Sequence, residues 1–318
     1  MPDAEARHDI VVVGASAGGV QALRELVAGF PPDLPAAVFV VLHVSPEGPS
    51  FMPEILSAAG PLRADHARDG DPIRLGRILV APPDRHLIVE HGRVRVVHGP
   101  RENRHRPAAD PLFRSAALAY GPRVVGVVLT GLLSDGSAGL AAIHDRGGVT
   151  VVQDPTEAVF ADMPRSALKK VPVDHCLRLP AIASLIARLS REPVRPEVPA
   201  TAGQTERMEK ETRLAHLDPE VLEDPKKAGR PSAFTCPECS GVLWQIEEGD
   251  ILRFRCRVGH AYSLESFASA QGESVERALW TALRVLEERI AFLKRLRKEA
   301  GSHGVHSVTR HLEERTAE

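Results

Sequence analysis

Residues 9–30 read DIVVVGASAGGVQALRELVAGF. An unbroken run of β-branched residues suits a strand buried on both faces, and the amphipathic stretch after the glycines suits a helix packed back on it. Such a strand, tight turn and helix form the repeating unit of a parallel sheet. The turn itself, Gly14-Ala15-Ser16-Ala17-Gly18, has more than one reading. A dinucleotide fingerprint wants glycine where Ser16 stands, because the backbone must come close to a pyrophosphate. The same letters satisfy G-x-S-x-G, in which small neighbours let a sharp strand-to-helix turn present a serine oxygen at the sheet edge. Taken alone, the fragment leaves anion binding, nucleophilic catalysis and a plain structural turn open.

The unit recurs. Further strands are expected at 37–44 (AVFVVLHV), 124–130 (VVGVVLT) and 149–153 (VTVVQ), with helices over 18–30, 49–59, 109–121 and 136–148. The alternation predicts an α/β domain with a doubly wound, mostly parallel sheet and helices on both faces. Residues 77–99 read as a small antiparallel excursion, punctuated by Asp84-Arg85 and His91-Gly92. This domain is expected over 1–190. Residues 191–233, rich in proline and charge, read as a linker leaving the rest tethered. A cysteine module follows over 234–265, an amphipathic helix over 266–300 and a polar tail over 301–318.

A formal net charge of −2 and a pI of about 6.7 supply no global attraction to nucleic acid or anionic membranes. No apolar run reaches the ~18 residues of a membrane span, and the N-terminus lacks the apolar stretch of a secretory signal. A cytoplasmic protein without membrane insertion is expected. Three of the four cysteines lie between Cys236 and Cys256, which suits metal binding better than disulfides.

A nucleophilic Ser16 needs a base and a group that orients the base. In a doubly wound sheet the reactive crevice lies beyond the carboxyl ends of the strands, so partners should follow strand runs. His43 ends one such run and Asp135 follows another. His86, His91 and His98 fall in the excursion, and His66 and His144 in charged, surface-like stretches. The chain order Ser, His, Asp differs from that of α/β-hydrolases.

Five separated motifs, GASAGG, LHVSP, NRHRPAADPLFRSAA, VVLTGLLSDGSAGL and VVQDPTEAVFADMPRSAL, occur in one order over about residues 9–190 and resemble the catalytic domain of CheB-type protein-glutamate methylesterases. The resemblance implies that Ser16 is the nucleophile, His43 the general base and Asp135 its orienting carboxylate, with no cofactor for catalysis. It implies hydrolysis of glutamyl methyl esters in a chemoreceptor-like protein, with release of methanol. Glutamine deamidation through the same acyl intermediate is the alternative reaction, and a catalytically quiet signalling scaffold the alternative role. The Ala17 N–H is expected in the oxyanion hole, and Leu132 stands where the family has a methionine near the oxyanion. Ala17 replaces the family's threonine and Leu133 a glycine. Arg104, His105 and Arg106, in the NRHRP motif, are candidates for steering an acidic substrate segment. CheB proteins usually begin with a receiver domain. Here the pattern starts at Asp9, which predicts a chain without that switch.

The C-terminal part carries its own signal. Cys236-x-x-Cys239 and Cys256-x-x-x-His260, separated by a hairpin-length gap, form a donor set for a closed, structural zinc site in a ribbon. Arg253, Arg255 and Arg257 alternate along one strand, but the flanking EEGD and the lack of a wider basic field argue against nucleic acid. Val275, Leu279, Ala282, Leu286, Ile290, Leu293 and Leu296 form an apolar stripe expected to pack against the ribbon. Cys176 is expected as an inert core residue.

Overall fold

The computed structural model describes residues 6–194, 202–216, 218, 229–248 and 251–302. Strand β1 (Ile10–Ala15) is followed by α1 (Gly19–Ala28), β2 (Ala37–Leu42), α2 (Met52–Ala59), β3 (Arg63–His66) and β4 (Arg77–Val80). A hairpin, β5 (His86–Glu90) and β6 (Arg93–Val97), leads to α3 (Ala109–Tyr120), β7 (Val124–Val128), α4 (Ser137–Asp145), β8 (Val149–Gln153), α5 (Asp162–Lys170), β9 (His175–Leu177) and α6 (Leu179–Leu189).

Seven strands form one sheet in the order β3-β4-β2-β1-β7-β8-β9, and every pairing in it is parallel. Successive residues of a strand face opposite sides, so a strand apolar at every position builds two cores at once. Val11, Val13, Val38, Val40, Val125 and Val127 pack with α1, α2 and α6 on one face. Ile10, Val12, Phe39, Val41, Val124 and Val128 pack with α3, α4 and α5 on the other. The doubly wound α/β expectation is met. The antiparallel excursion is confined to β5 and β6, while Arg77–Val80, expected within it, joins the parallel sheet as β4. Cys176 is exposed on the edge strand β9 rather than buried in the core.

The segment read as a linker contains a helix, α7 (Ala202–Ala215), which packs on α3; residues 195–201 and 219–228 lie outside the described residues. The cysteine module is a four-stranded antiparallel sheet in the order β10 (Arg230–Thr235), β11 (Val242–Glu248), β12 (Ile251–Cys256) and β13 (Ala261–Ser263). It runs directly into α8 (Leu264–Ser302); of the expected polar tail, residues 303–318 lie outside the described residues. The chain divides into two compact units, one through Phe267 and the other from Ala268. The ribbon therefore shares a unit with the sheet domain instead of hanging from a tether. In the second unit, Val275, Leu279, Leu286 and Ile290 of the apolar stripe are all exposed.

One feature of the first unit could not be read from composition. Glu102 before α3, Arg114 on α3, Glu211 on α7, and Arg253 and Arg255 on β12 meet in a buried ionic cluster. Arg114 donates to Glu102 at 2.7 Å, Arg255 to Glu102 at 3.1 Å and to Glu211 at 2.5 Å, and Arg253 to Glu211 at 3.2 Å. The alternating arginines of β12 thus point into protein, which removes them from any nucleic-acid surface.

Candidate active site

Strand β1 lies at the centre of the sheet, and the chain crosses from its β2 side to its β7 side only after the β5–β6 hairpin. This reversal opens a crevice at the carboxyl ends of β2, β1 and β7, where open α/β sheets bind ligands. Ser16 leaves β1, His43 leaves β2 and Asp135 lies in the loop after β7. The Ser16 turn is pinned to the β7 exit. Its N–H donates to the Thr130 carbonyl at 3.0 Å, and the Thr130 hydroxyl donates to the Ala17 carbonyl at 3.0 Å. Gly18, with φ +76°, supplies the left-handed residue that starts α1 so abruptly, and a Cβ there would stand 3.0 Å from Val159.

The structure brings the three sequence-predicted residues together. His43 Nδ1 is 3.0 Å from Ser16 Oγ, and His43 Nε2 is 2.8 Å from Asp135 Oδ2. A buried carboxylate can only accept, so the proton belongs on Nε2 and the lone pair on Nδ1 faces the serine hydroxyl. Asp135 is held from every side. Oδ2 also accepts from the Ala109 N–H at 2.6 Å, and Oδ1 accepts from the Asn103 amide at 2.9 Å and the Asp110 N–H at 3.3 Å. Burial alone would raise its pKa, but His43, the Ala109 N–H at the start of α3 and the Asn103 amide outweigh it. They hold the carboxyl below the usual carboxylate range. Asp110 takes the opposite course, pushed up to about 7 by burial and by the neighbouring Asp135 carboxylate. One of two adjacent carboxyls thus keeps its charge because the other yields.

Three residues of the NRHRP motif take roles that were not foreseen. His105, expected to steer substrate, stacks on the His43 ring at 3.7 Å with the planes 11° apart. Burial, followed by the nearness of His43, pushes its pKa down to about 3, so it covers the imidazole as a neutral ring. Arg106 is likewise no steering residue. It donates to Asp84 at 2.6 Å and to the Gly99 carbonyl at 2.7 Å. Asn103 was named only as a letter of a motif, and a motif letter does not reveal what a side-chain amide will bond.

Of the expected oxyanion residues, Ala17 follows Ser16, and no hydrogen bond among the described residues engages its N–H. The Leu132 side chain is 48% exposed. The loop that carries it comes close to Ser16 through Gly131, where a Cβ would stand 2.8 Å from Ser16 Cβ. Leu133, at a position where the resemblance implies a glycine, takes φ +61°, a conformation that glycine adopts without steric cost.

The four ribbon residues converge as well. The donor atoms of Cys236, Cys239, Cys256 and His260 all lie within 4.8 Å of one another. Cys236 Sγ is 3.7 Å from His260 Nδ1, Cys256 Sγ is 3.5 Å from the same nitrogen, and Cys239 Sγ is 3.6 Å from Cys256 Sγ. Thiolates ~2.3 Å and an imidazole ~2.0 Å from a tetrahedral zinc would be separated by roughly 3.5–3.8 Å, so the residues fit that ion. His260 Nε2 faces the Glu238 carboxylate at 3.5 Å, which orients the ring as outer carboxylates do in metal sites.

Comparison with known proteins places the sheet domain. The CheB methylesterase family matches residues 11–186. A protein-glutamate methylesterase/protein-glutamine glutaminase of Anaeromyxobacter dehalogenans is 40% identical over 190 residues, covering 60% of this chain and 56% of that one. A putative protein-glutamate methylesterase/protein-glutamine glutaminase of Leptospira interrogans is 36% identical over 185 residues, 58% of this chain and 96% of the relative. Several curated relatives are matched over only about half their length. The crystal structure of the Thermotoga maritima CheB methylesterase catalytic domain superposes with a TM-score of 0.54 at 29% identity, covering 57% of this chain and 98% of that domain. With more than half of its length matched and the fold shared, the chain belongs to the CheB methylesterase family.

Proposed function

We propose that the chain is a serine hydrolase that removes methyl esters from glutamate side chains of a protein. The observation that carries this reading is the continuous hydrogen-bonded line from Ser16 Oγ through His43 to Asp135, at 3.0 and 2.8 Å. His43 Nδ1 takes the Ser16 proton as the oxygen attacks the ester carbonyl, and Asp135 stabilises the imidazolium that results. The Ala17 N–H, in the turn just before α1, is positioned to donate to the oxyanion, a contribution worth about 2.7–4 kcal/mol per donor in such sites. The tetrahedral intermediate collapses, the imidazolium protonates the departing methoxide, and methanol leaves a glutamyl ester on Ser16. Water, deprotonated by the same nitrogen, releases the glutamate carboxylate and restores the hydroxyl. The substrate class is a methylated, chemoreceptor-like protein, and the setting is the cytoplasm.

The test is incubation of the purified full chain with a methyl-labelled receptor segment and measurement of volatile methanol. Release at the rate of the Ser16→Ala protein would remove the assignment. A second reading, deamidation of glutamine with ammonia as the leaving group, is favoured by the paired activities in the relatives' names. It uses the same atoms and is read by ammonia release from the unmethylated segment.

Cys236, Cys239, Cys256 and His260 hold a structural zinc in this proposal. A closed set of four protein ligands leaves no open position for a reacting water, so the ion serves the ribbon's fold. Reduced, freshly purified protein is expected to contain about one zinc per chain, and Cys236→Ser to lose it. Metal analysis that finds no zinc in the unmodified protein would overturn the assignment.

A further inference from the structure

The ribbon reaches the triad through one side chain. Asn103 is buried, with 3% of its surface exposed, and takes φ +50°. Its amide nitrogen donates to Asp135 Oδ1 at 2.9 Å and to Asp110 Oδ2 at 2.8 Å. Its amide oxygen accepts from the Ser263 N–H at 2.9 Å and from the Ser266 hydroxyl at 3.1 Å. All four hydrogen-bonding positions of the amide are therefore used, and its orientation is unambiguous. A backbone N–H can only donate, and the ionised Asp135 can only accept.

The partners of Asn103 come from two halves of the chain. Ser263 ends β13 and Ser266 lies in the first turn of α8. The backbone around them is joined to the same loop, since the Asn103 N–H donates to the Ala261 carbonyl at 2.8 Å and the Ala261 N–H to the Arg101 carbonyl at 3.1 Å. The Ser263 hydroxyl also meets that of Ser134, the residue before Asp135, at 2.7 Å. Directly beneath this junction the buried cluster ties Glu102 to Arg253 and Arg255 of the ribbon.

We propose that Asn103 is a positioning residue for the Asp135 carboxylate and that Ser263 and Ser266 of the C-terminal module hold it there, so that this module completes the active site. The inference rests on the esterase reading of Ser16, His43 and Asp135. Without the amide, Asp135 Oδ1 loses a donor and two buried carboxyls lose the group that bridges them. The carboxylate can then rotate, and His43 Nε2 loses the acceptor that aims its ring at Ser16. Asn103 reaches the reaction only through Asp135, so its removal should lower kcat and leave KM unchanged.

The test uses the full chain with Asn103→Gly, because glycine tolerates the positive φ, alongside the gentler Ser266→Ala. On a small glutamyl methyl ester, Asn103→Gly is expected to lower kcat roughly 100-fold, the scale of a 1 Å misplacement of a catalytic group, and Ser266→Ala several-fold, both at constant KM. In an Asp135→Asn background Asn103→Gly should cost nothing further, since the residue it positions is already disabled. A readout independent of turnover is the low-field proton resonance of the His43 Nε2–H bonded to Asp135, expected in the unmodified protein and lost in Asn103→Gly. A normal kcat and an intact resonance in Asn103→Gly would overturn the proposal. An equal loss of kcat in the Asp135→Asn background would also do so, since it would mean general loosening. If the resonance behaves as stated while no form turns over ester, positioning stands and the esterase reading fails.

Discussion

Ser16→Ala is expected to abolish methanol release while leaving thermal stability within about 0.5 kcal/mol of the unmodified protein. Ser16 Oγ bonds only His43 among the described residues, in a turn already built of small residues, so its loss removes one hydrogen bond and little packing. The kinetic effect should be as large as removal of any other triad member. In serine hydrolases these groups act as one unit, and losing the serine or the histidine costs on the order of a million-fold in kcat. His43→Gln should fall close to the same floor, and the double variant should be no worse than either single one. Ester hydrolysis by Ser16→Ala at even a tenth of the original kcat would show that another nucleophile does the chemistry.

The second large effect is on stability. Glu102→Gln keeps the shape of the side chain but leaves Arg114, Arg253 and Arg255 with Glu211 as the single carboxylate of the cluster. All five side chains are at most 5% exposed, so water cannot take over the lost charge. Removing one partner from a buried ionic set typically costs 3–5 kcal/mol, and a loss of about that size is expected in urea denaturation. The cluster also sets an acid limit. Burial would raise both carboxyls, but Arg114 with Arg255 and Arg253 outweighs it at Glu102, and Arg255 with Arg253 and Arg114 at Glu211. Glu102 is held well below the carboxylate range and Glu211 at about 2. Groups with depressed values stabilise the fold above their unfolded-state pKa, near ~4.3 for glutamate, and lose that contribution as pH falls through the folded value. Stability should therefore drop between about pH 4 and pH 2, and less steeply in Glu102→Gln. An unchanged urea midpoint for Glu102→Gln at neutral pH would show that the cluster is not closed to water.

Both experiments bear on the relation between the two parts of the first unit. Ser16 and its partners answer to the sheet; Glu102 and Asn103, adjacent in the chain, answer to the ribbon as well. A substitution in β12 or β13 can consequently alter stability through the first of these residues and turnover through the second.

The central strands, the helices between them, the Ser16 turn and the metal-ligand spacing were all legible in the residue order. Each rests on a local rule: β-branched runs for two-faced burial, a small-residue turn for a sharp strand exit, paired donors for a tetrahedral ion. The placement of Ser16, His43 and Asp135 at strand exits was enough to suggest that they meet, because a parallel sheet brings the carboxyl ends of its strands to one edge. Shorter elements such as β3, with the residues Arg63-Ala-Asp-His66, were not legible, since an edge strand needs no apolar pattern. Long-range pairing was beyond local rules altogether. The arginines of β12 look like a surface stripe in sequence, and only the arrival of Glu102 and Glu211 from other elements makes their burial affordable. Asn103 looks like any polar loop residue until β13 comes to lie against it. The residue order by itself determined the sheet and singled out Ser16, His43 and Asp135 and the four Cys/His residues of the ribbon. Tertiary packing decided that the ribbon meets the loop around Asn103 and Asp135, because a buried charge or amide takes its partners from whatever the fold brings within about 3 Å.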